Sequence, residues 1–368
     1  MTTKHLINQG KSLIHLIRHR LSGAHVPLFT ALAITNRCNY QCIYCYGDYY
    51  HQKHENFSTS ELLQIIDDLA KMGTRIVNLI GGEPLLRDDI NLIAKRVKEN
   101  GMICTISSNL SLLPEKIDKL RGIDIDSIDT SLDGLEKGND KNRGKGTFQK
   151  TFKGIKCAIK NNIKTNVNMV LTKYNLADVE PMIKLAADTG FAVSFNVVYE
   201  SHSAEYKNYQ DSFDIKNKDD KEIKEALKKI ISYKEKGYPV RFSKIAYQYA
   251  HDWPCSYGGK VYITDKTKPK DFKPIKCYHP QFFCYIDTDG RMYDCLHLKD
   301  ISPIVNVKEL GVQKAWEKIS SFNPSCVACY SICNNDSNMI FGLKPQNLFS
   351  TTKDLLFTKA KKHEDSAS

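Results

Sequence analysis

Three cysteines on one short segment are the residues of this chain best suited to metal chemistry. Cys38, Cys42 and Cys45 are separated by three and then two residues. Three thiolates on one loop can hold three irons of a [4Fe–4S] cluster, which ordinarily takes four cysteines. The fourth iron would keep an open position, and an open position on a metal receives substrate or cofactor. The alternative is a partial zinc site or three buried thiols, although zinc motifs favour two well-separated cysteine pairs.

The composition indicates a large protein that keeps its thiols reduced. The chain has 368 residues, of which 41 % are hydrophobic and twelve are cysteines. Disulfide frameworks belong to small secreted domains, and the N-terminus lacks the continuous apolar region of a secretory signal. No apolar run approaches the ~20 residues of a membrane span. We therefore expect metal-binding thiols in the cytoplasm. The net charge of +11 is dispersed among acidic residues, so no nucleic-acid partner is expected.

The first cysteines follow the first of six predicted strands. Strands are expected at 29–35, 75–80, 102–107, 127–131, 165–171 and 192–198. Helical periodicity separates most of them, and a capping box at Ser58 and Glu61 opens the first intervening helix. A loop is expected between Gly134 and the helix that contains Phe152. Strands that alternate with helices predict a parallel sheet. Since a closed barrel has eight units, six units predict an α/β fold with a partial (β/α)6 TIM-like barrel, open on one side.

Glycines and polar side chains stand where three of these strands end. They are Gly81, Gly82 and Glu83 after the second strand, Ser108 and Asn109 after the third, and Ser131 and Asp133 at the fourth. In parallel barrels chemistry collects at the carboxyl ends of the strands. Glycines let a backbone approach a ligand closely, and Glu83 can accept a hydrogen bond from an ammonium group. Ser, Asn and Asp are also common turn residues, so turn formation and ligand contact both stay open for the last four.

Together these residues resemble the radical S-adenosylmethionine (SAM) superfamily, over roughly residues 30–200 and 277–333. The signature of that family is the C-x3-C-x2-C loop with an aromatic residue before the third cysteine, here Tyr44. The resemblance implies that the open iron holds the amino and carboxylate groups of SAM. One electron then cleaves the sulfonium, and a 5′-deoxyadenosyl radical takes a hydrogen atom from the substrate. The resemblance also assigns cofactor contacts to Tyr44, Gly81, Gly82, Glu83, Ser108, Asn109, Ser131, Asp133 and Arg143.

The segment from Ser131 to Phe148 resembles a stretch that is common in family members with an additional C-terminal cluster domain. Asn139 stands where those members have a histidine, so no role is carried over to that position. Arg143 can hold a carboxylate bidentately or anchor its own loop through a salt bridge.

A second group of cysteines lies near the C-terminus. Cys277 is followed by twelve residues, Gly290, four residues and Cys295. This spacing resembles the SPASM/Twitch domain, and the shortened later run of cysteines indicates the Twitch form with one auxiliary [4Fe–4S] cluster. The implied ligands are Cys277, Cys295, Cys326 and Cys329, with Cys333 as a possible replacement and Cys255 and Cys284 as spares. A zinc ribbon is the alternative. Residues 285–295 predict a hairpin with an Asp-Gly turn.

The predicted organisation has five parts. They are an amphipathic basic helix at 1–28, the radical SAM barrel at 29–220, a linker helix and connection at 221–252, a small cysteine-rich α+β SPASM/Twitch domain at 253–343, and a partly disordered tail at 344–368. Residues 1–21 carry an apolar arc flanked by basic residues. Such a helix packs on its own domain or lies on a membrane, here as a peripheral contact with the inner face.

The predicted function is that of a radical SAM enzyme acting on a small molecule such as a sugar, nucleoside, cofactor precursor or lipid. The alternative is maturation of a ribosomally made peptide that a partner helps to recognise. A non-catalytic iron–sulfur electron carrier would need neither the open iron nor the Gly-Gly-Glu turn. The implied cofactors are SAM, its [4Fe–4S] cluster and the auxiliary cluster, and the implied partner is a low-potential electron donor such as flavodoxin or ferredoxin. Beyond the cluster ligands, no catalytic residue is assigned. Asn168, Asn196, Tyr199 and Glu200 are substrate-contact candidates by position.

Overall fold

Six parallel strands alternate with helices in chain order, as the sequence predicts. The computed structural model describes residues 3–45, 47, 49–50, 56–199, 220–299, 301–322 and 324–343, without the side chains of residues 3–9 and 11. The strands are β1 (Phe29–Thr35), β2 (Ile76–Gly81), β3 (Ile103–Ser107), β4 (Ser127–Ser131), β5 (Thr165–Leu171) and β6 (Ala192–Val197). The helices are α1 (Thr3–Ser22), α2 (Thr59–Lys71), α3 (Ile90–Glu99), α4 (Leu113–Leu120), α5 (Glu136–Arg143), α6 (Thr147–Lys160) and α7 (Val179–Thr189).

The outer layer of helices forms because apolar side chains recur at helical spacing. In α2, Leu62, Ile66 and Leu69 are buried on one face, and they pack on the sheet in the main hydrophobic core. The predicted capping box is confirmed, since the Ser58 side chain accepts a hydrogen bond from the Glu61 backbone N–H. The helix therefore begins where the sequence places it.

The two faces of the strands differ in polarity. On β5, Val167 and Met169 belong to the core beneath the helices, while the alternate positions are Asn166, Asn168 and Val170. Asn196 on β6 donates a hydrogen bond to the Asn168 side chain (2.7 Å). Because successive strand residues point to opposite faces, the asparagines of β5 and β6 lie on the side of the sheet away from the helices. The inner face of the barrel is consequently polar along these strands.

The C-terminal part of the chain adds strands to the barrel sheet. Its elements are α8 (Asp220–Glu235), α9 (Lys244–His251), β7 (Tyr262–Thr264), α10 (His279–Phe282), β8 (Phe283–Ile286), β9 (Met292–Tyr293), α11 (Val307–Leu310), α12 (Val312–Ser320), β10 (Cys326–Cys329) and α13 (Ile332–Phe341). β8 pairs in parallel with β1, and β9 pairs antiparallel with β8. The sheet order is therefore β6-β5-β4-β3-β2-β1-β8-β9, and β7 and β10 form a separate two-stranded sheet.

The predicted hairpin is present, with Gly290 at φ +90° in its turn, a conformation that favours glycine. The structure contains several helices that the sequence did not predict. The expected loop after Gly134 contains α5. Helix α9 lies in the predicted connection at 221–252, and α12 and α13 lie in the predicted α+β region at 253–343, for which no individual helix was predicted. Residues 200–219 and the tail 344–368 lie outside the described residues. None of the described helices is long and apolar enough to span a membrane.

Candidate metal and cofactor site

The cysteine loop (residues 38–45) begins directly after β1, at the carboxyl edge of the sheet. Its shape is set by backbone hydrogen bonds: the Cys38 N–H donates to Tyr49 (3.1 Å), and the Ile43 N–H donates to the Asn142 carbonyl in α5 (2.9 Å). Cys38, Cys42 and Cys45 are all half-buried free thiols. Helix α5, which the sequence did not predict, therefore positions the segment between Cys42 and Cys45.

The two glycines after β2 are required by contact with the chain that leads into the cysteine loop. The Gly82 N–H donates to the Thr35 carbonyl (2.8 Å), and the Glu83 N–H donates to the Arg37 carbonyl (2.7 Å). A Cβ atom on Gly82 would lie 2.1 Å from the Arg37 carbonyl oxygen, and one on Gly81 would lie 2.3 Å from the Thr35 carbonyl oxygen. A side chain at either position would collide with backbone atoms, which cannot move aside as a flexible side chain could. The turn thus packs on the base of the loop, a reason for the glycines that the sequence did not show.

Glu83 connects the ends of β2 and β3. Its carboxylate is fully buried and accepts hydrogen bonds from the Leu85 N–H (2.9 Å), the Ser108 hydroxyl (2.7 Å) and the Asn109 N–H (2.6 Å). Burial raises the pKa of Glu83, and these hydrogen bonds oppose that rise. Asn109 in turn donates to the Asn39 side chain in the cysteine loop (2.8 Å). The structure brings Glu83, Ser108 and Asn109 together, with the carboxylate already engaged by the protein.

Tyr44, Asp133 and Arg143 form a buried polar group beside the thiols. The Tyr44 hydroxyl donates to the Asp133 carboxylate, and the Arg143 Nη1 donates to the Tyr44 oxygen (2.7 Å) and lies 3.4 Å from Asp133 Oδ2. Asp133 also accepts from the Val170 N–H (2.8 Å). Burial raises the pKa of Cys42 to about 11, and the Arg143 charge opposes that rise. Of the two interpretations of Arg143, the structure displays the salt bridge.

The rest of the segment that follows β4 serves folding. The Asp140 carboxylate accepts from the N–H groups of Gly146 (2.5 Å) and Phe148 (2.9 Å) at the start of α6, where an anion is favoured by the helix dipole. Asn139 accepts from the Asp133 N–H (3.1 Å) and donates to Thr147 (3.0 Å). An aspartate shortly before a Gly-x-Gly and a helix is the sequence signal that would have revealed this cap.

The donor set of the cysteine loop fits an iron–sulfur cluster held by three protein ligands. Burial raises the pKa of Cys38 to about 12, so without metal this thiol is protonated at neutral pH, and metal binding must release its proton. Thiolates are the ligands of iron–sulfur clusters. Across the described ranges, no three Cys, His, Asp or Glu side chains are already gathered as metal ligands. Ligation would therefore include an adjustment of the loop.

The second group of thiols is assembled from three separate segments. Cys277 precedes α10, Cys295 follows β9, and Cys326 and Cys329 occupy the two ends of β10. Burial is the largest cause of the raised pKa of Cys329, and the negative charges of the Cys277 and Cys326 thiolates add to that rise. Cys277 and Cys329 act in the same way on Cys295. The four sequence-predicted thiols are therefore near neighbours in space.

The replacement and spare cysteines occupy different surroundings. Cys333 lies on α13 with its thiol 3.4 Å from the Ser331 hydroxyl. Cys284 is buried on β8, and Cys255 is half-buried in the connection before β7. Cys333 is close enough to Cys329 for its charge to raise the pKa of that thiol.

The inner face of the barrel meets the C-terminal part of the chain at Asn196. This side chain accepts a hydrogen bond from the Cys333 backbone N–H (3.2 Å) while donating to Asn168. Ser131 ends β4 in register with Asn168, so these polar groups line one level of the barrel. Glu200 lies outside the described residues.

The sequence prediction missed two polar groups beside the second cysteine group, one buried and one half-buried. Asp294 is fully buried, and neither carboxylate oxygen has a hydrogen-bond partner among the described residues; burial raises its pKa to about 6. His297 lies edge-on to Tyr199, with 4.4 Å between ring centroids, and burial lowers its pKa to about 4. The signal was their position on either side of Cys295.

Comparison with known proteins gives a family for the first part of the chain. Residues 32–186 match the model of the radical SAM superfamily. Over 212 residues the chain is 31 % identical to an Fe-coproporphyrin III synthase of Methanosarcina barkeri, a match that covers 56 % of this chain and 52 % of that protein. The chain thus spans about half the length of that relative.

Two further likenesses extend across most of the chain. An AdoMet-dependent heme synthase of Methanosarcina barkeri is 26 % identical over 314 residues, covering 82 % of this chain and 85 % of that protein. The crystal structure of Streptococcus suis SuiB bound to S-adenosylmethionine superposes with a TM-score of 0.62 at 16 % identity, covering 82 % of this chain and 68 % of SuiB. At that identity the superposition shows a shared fold.

Proposed function

We propose, from the match of residues 32–186 to the radical SAM model, that the whole chain is a radical SAM enzyme. It cleaves SAM reductively and takes a hydrogen atom from a small-molecule substrate. The observation that carries the proposal is the packing of the Gly81–Glu83 turn onto the chain that leads into the cysteine loop. An iron with an open position and a turn that binds SAM must lie side by side to act together. Here backbone hydrogen bonds join the turn to the chain that leads into the cysteine loop.

The residues of the site have separable parts in this proposal. Cys38, Cys42 and Cys45 would hold a [4Fe–4S] cluster, which supplies the electron that cleaves SAM. The Gly81–Glu83 turn and the end of β3 would hold the amino end of SAM beside it. Arg143 keeps a buried positive charge next to Cys42, which compensates negative charge in a site of low dielectric.

The proposed substrate class is a small cofactor precursor. The inner face of the barrel supplies hydrogen-bonding amides at Asn168 and Asn196, which suit a polar molecule more than an apolar one. The names of the two Methanosarcina barkeri relatives refer to iron porphyrins, so an iron porphyrin precursor is the first substrate to test. We also propose an auxiliary [4Fe–4S] cluster on the second cysteine group, a low-potential protein as electron donor, and a membrane contact through residues 1–21.

The test is anaerobic reconstitution with iron, sulfide, SAM and dithionite, followed by chromatography for 5′-deoxyadenosine. We expect wild type to form it and the triple variant C38A/C42A/C45A to form none above background. Cys157→Ala, at a half-buried thiol outside both cysteine groups, is the matched control and should behave as wild type. Formation of 5′-deoxyadenosine by the triple variant at the wild-type rate would refute the assignment of this loop.

Substrate class is tested with the same reconstituted protein. Iron porphyrins and carboxylated porphyrin precursors are added with SAM, and products are identified by mass spectrometry. We expect a substrate to increase 5′-deoxyadenosine formation and to be consumed in proportion to it. A peptide that replaces the porphyrins in both effects would favour the maturation alternative.

A further inference from the structure

Helix α1 is attached to the rest of the protein along one edge. Leu16 is 5 % exposed and packs with Val26 and Phe282 in a small hydrophobic cluster. One turn later, the Arg20 guanidinium donates to the Tyr278 hydroxyl (3.0 Å) and lies 4.6 Å from the centre of that ring. The positions of Leu16 and Arg20, four residues apart, define the edge of α1 that faces the protein.

A different edge of α1 presents large apolar side chains to solvent. Leu13, Ile14, Ile17 and Leu21 are exposed by 40 %, 65 %, 37 % and 80 % respectively. At 3.6 residues per turn these four positions fall within an arc of about 100°, away from Leu16. Single exposed aliphatic residues are common, whereas a contiguous apolar strip indicates a surface that binds something.

The charge around this strip is of one sign. Residues 1–28 contain Lys4, Lys11, Arg18 and Arg20 and no aspartate or glutamate. Arg18 is exposed and lies at the border of the apolar arc. A partner that covers the strip must therefore accept positive charge along its border.

The C-terminal tail is a poor candidate to cover the strip. Leu343, the last described residue, packs in the same cluster as Leu16, so the tail leaves the protein beside α1. Residues 344–368 contain five lysines and three acids, Asp354, Glu364 and Asp365, so the tail is net positive. Like charges disfavour contact between the tail and α1. Two basic segments that leave one corner of the protein are instead complementary to a single extended anionic surface.

We propose that the exposed edge of α1, formed by Leu13, Ile14, Ile17 and Leu21, docks on an anionic lipid bilayer. The helix lies in the plane of the interface, its aliphatic side chains enter the boundary of the acyl chains, and the flanking Lys and Arg side chains meet the headgroups. This inference develops the membrane contact of the proposed function and is independent of the radical chemistry.

The orientation on the bilayer follows from the location of α1. The chain after α1 enters β1 at its amino end, where the Arg75 N–H, just before β2, donates to the Leu28 carbonyl (3.0 Å). The cysteine loop follows the carboxyl end of β1. Docking through α1 would therefore leave Cys38, Cys42 and Cys45 on the edge of the sheet that faces away from the lipid.

The test is flotation of the full reconstituted chain with phosphatidylcholine vesicles, prepared with and without phosphatidylserine. We expect wild type to float with the anionic vesicles and not with the neutral ones. The quadruple variant L13Q/I14Q/I17Q/L21Q should bind the anionic vesicles at least about tenfold more weakly than wild type. A double variant L92Q/I304Q, which removes exposed aliphatic residues elsewhere, should bind as wild type does. High salt should weaken binding, because part of the attraction is screened.

Three results would overturn the proposal. One is equal flotation of the quadruple variant and wild type. Another is flotation that appears when the chain is truncated after Leu343 but not with the full chain, which would make the tail the occupant. The third is a wild-type dimer that the quadruple variant converts to monomer without any flotation, seen by sedimentation velocity. The quadruple variant should retain wild-type 5′-deoxyadenosine formation, which separates failure here from failure of the catalytic proposal.

Discussion

The two cysteine groups are built in opposite ways. Cys38, Cys42 and Cys45 share one loop after one strand, and that loop is held by the turn after β2 and by α5. The thiols of the second group come from a connection, a hairpin and a strand of a separate two-stranded sheet. The first group depends on local spacing and needs neighbours to hold its shape, while the second does not exist until distant segments meet.

The buried charges around the two groups also differ. Beside the first, the Asp133 carboxylate is matched by Arg143. Beside the second, Asp294 is buried with no hydrogen-bond partner among the described residues. A buried unpaired carboxylate is costly, and its pKa rises to about 6 as a result of that burial. The first carboxylate thus has a charged partner within the fold, whereas burial is the largest influence on the pKa of the second.

The largest effect should come from Gly82→Ala, which disturbs the turn that supports the first cysteine group and leaves the second group unchanged. The added Cβ would lie 2.1 Å from the Arg37 carbonyl, so the chain leading into the cysteine loop must move. Because misplacement by about 1 Å can cost about 100-fold in rate, we expect at least that loss of 5′-deoxyadenosine formation, with about four auxiliary irons retained. Gly259→Ala, whose Cβ meets its nearest neighbour at 3.5 Å, is the control. Wild-type SAM cleavage by Gly82→Ala would show that the turn is not needed to position the loop.

A smaller effect on SAM cleavage is expected from the double variant C326A/C329A. Both thiols lie on β10, and their removal should eliminate about four of about eight irons per chain. Since the first loop is supported independently, 5′-deoxyadenosine formation should fall by less than about tenfold. Iron and zinc are counted by elemental analysis alongside Cys255→Ala. Stoichiometric zinc in wild type would establish a zinc ribbon instead of a cluster.

The smallest effect is expected from Cys333→Ser. The thiol contacts the Ser331 hydroxyl at 3.4 Å and the Asn334 side-chain oxygen at 3.6 Å, and a serine hydroxyl can form the same hydrogen bonds. Iron content should therefore match wild type, whereas Cys329→Ser should lose about four irons. Equal losses in the two serine variants would make Cys333 a ligand.

The sequence was sufficient for the barrel because its signals are local. β1 is buried at every position from Thr30 to Thr35, and strands covered on both faces form continuous apolar runs. The helices between the strands repeat their apolar residues at helical spacing, as in α2. The six strands, and the position of the cysteine loop after the first of them, could therefore be predicted with no knowledge of tertiary contacts.

Helix α5 shows why the rest could not be predicted. Its eight residues, Glu136–Arg143, are all polar or glycine, so no apolar periodicity marks it. Asn139 and Asn142 are nonetheless buried. Asn139 forms hydrogen bonds within its own segment, whereas Asn142 accepts one from Thr172 (3.1 Å), which lies after β5. A helix stabilised by hydrogen bonds from elsewhere has no signature in its own residues.

The pairing of β8 with β1 has a consequence for synthesis of the chain. Phe29 pairs with Phe283, which leaves the ribosome more than 250 residues later, roughly tens of seconds at ordinary elongation rates. Throughout that interval β1 is an unpaired edge of a nascent sheet, and such edges invite association with other chains. The hairpin that finally covers the edge leads directly into Cys295. Closure of the exposed edge therefore also brings Cys295 into position, while Cys326 and Cys329 follow on a separate sheet.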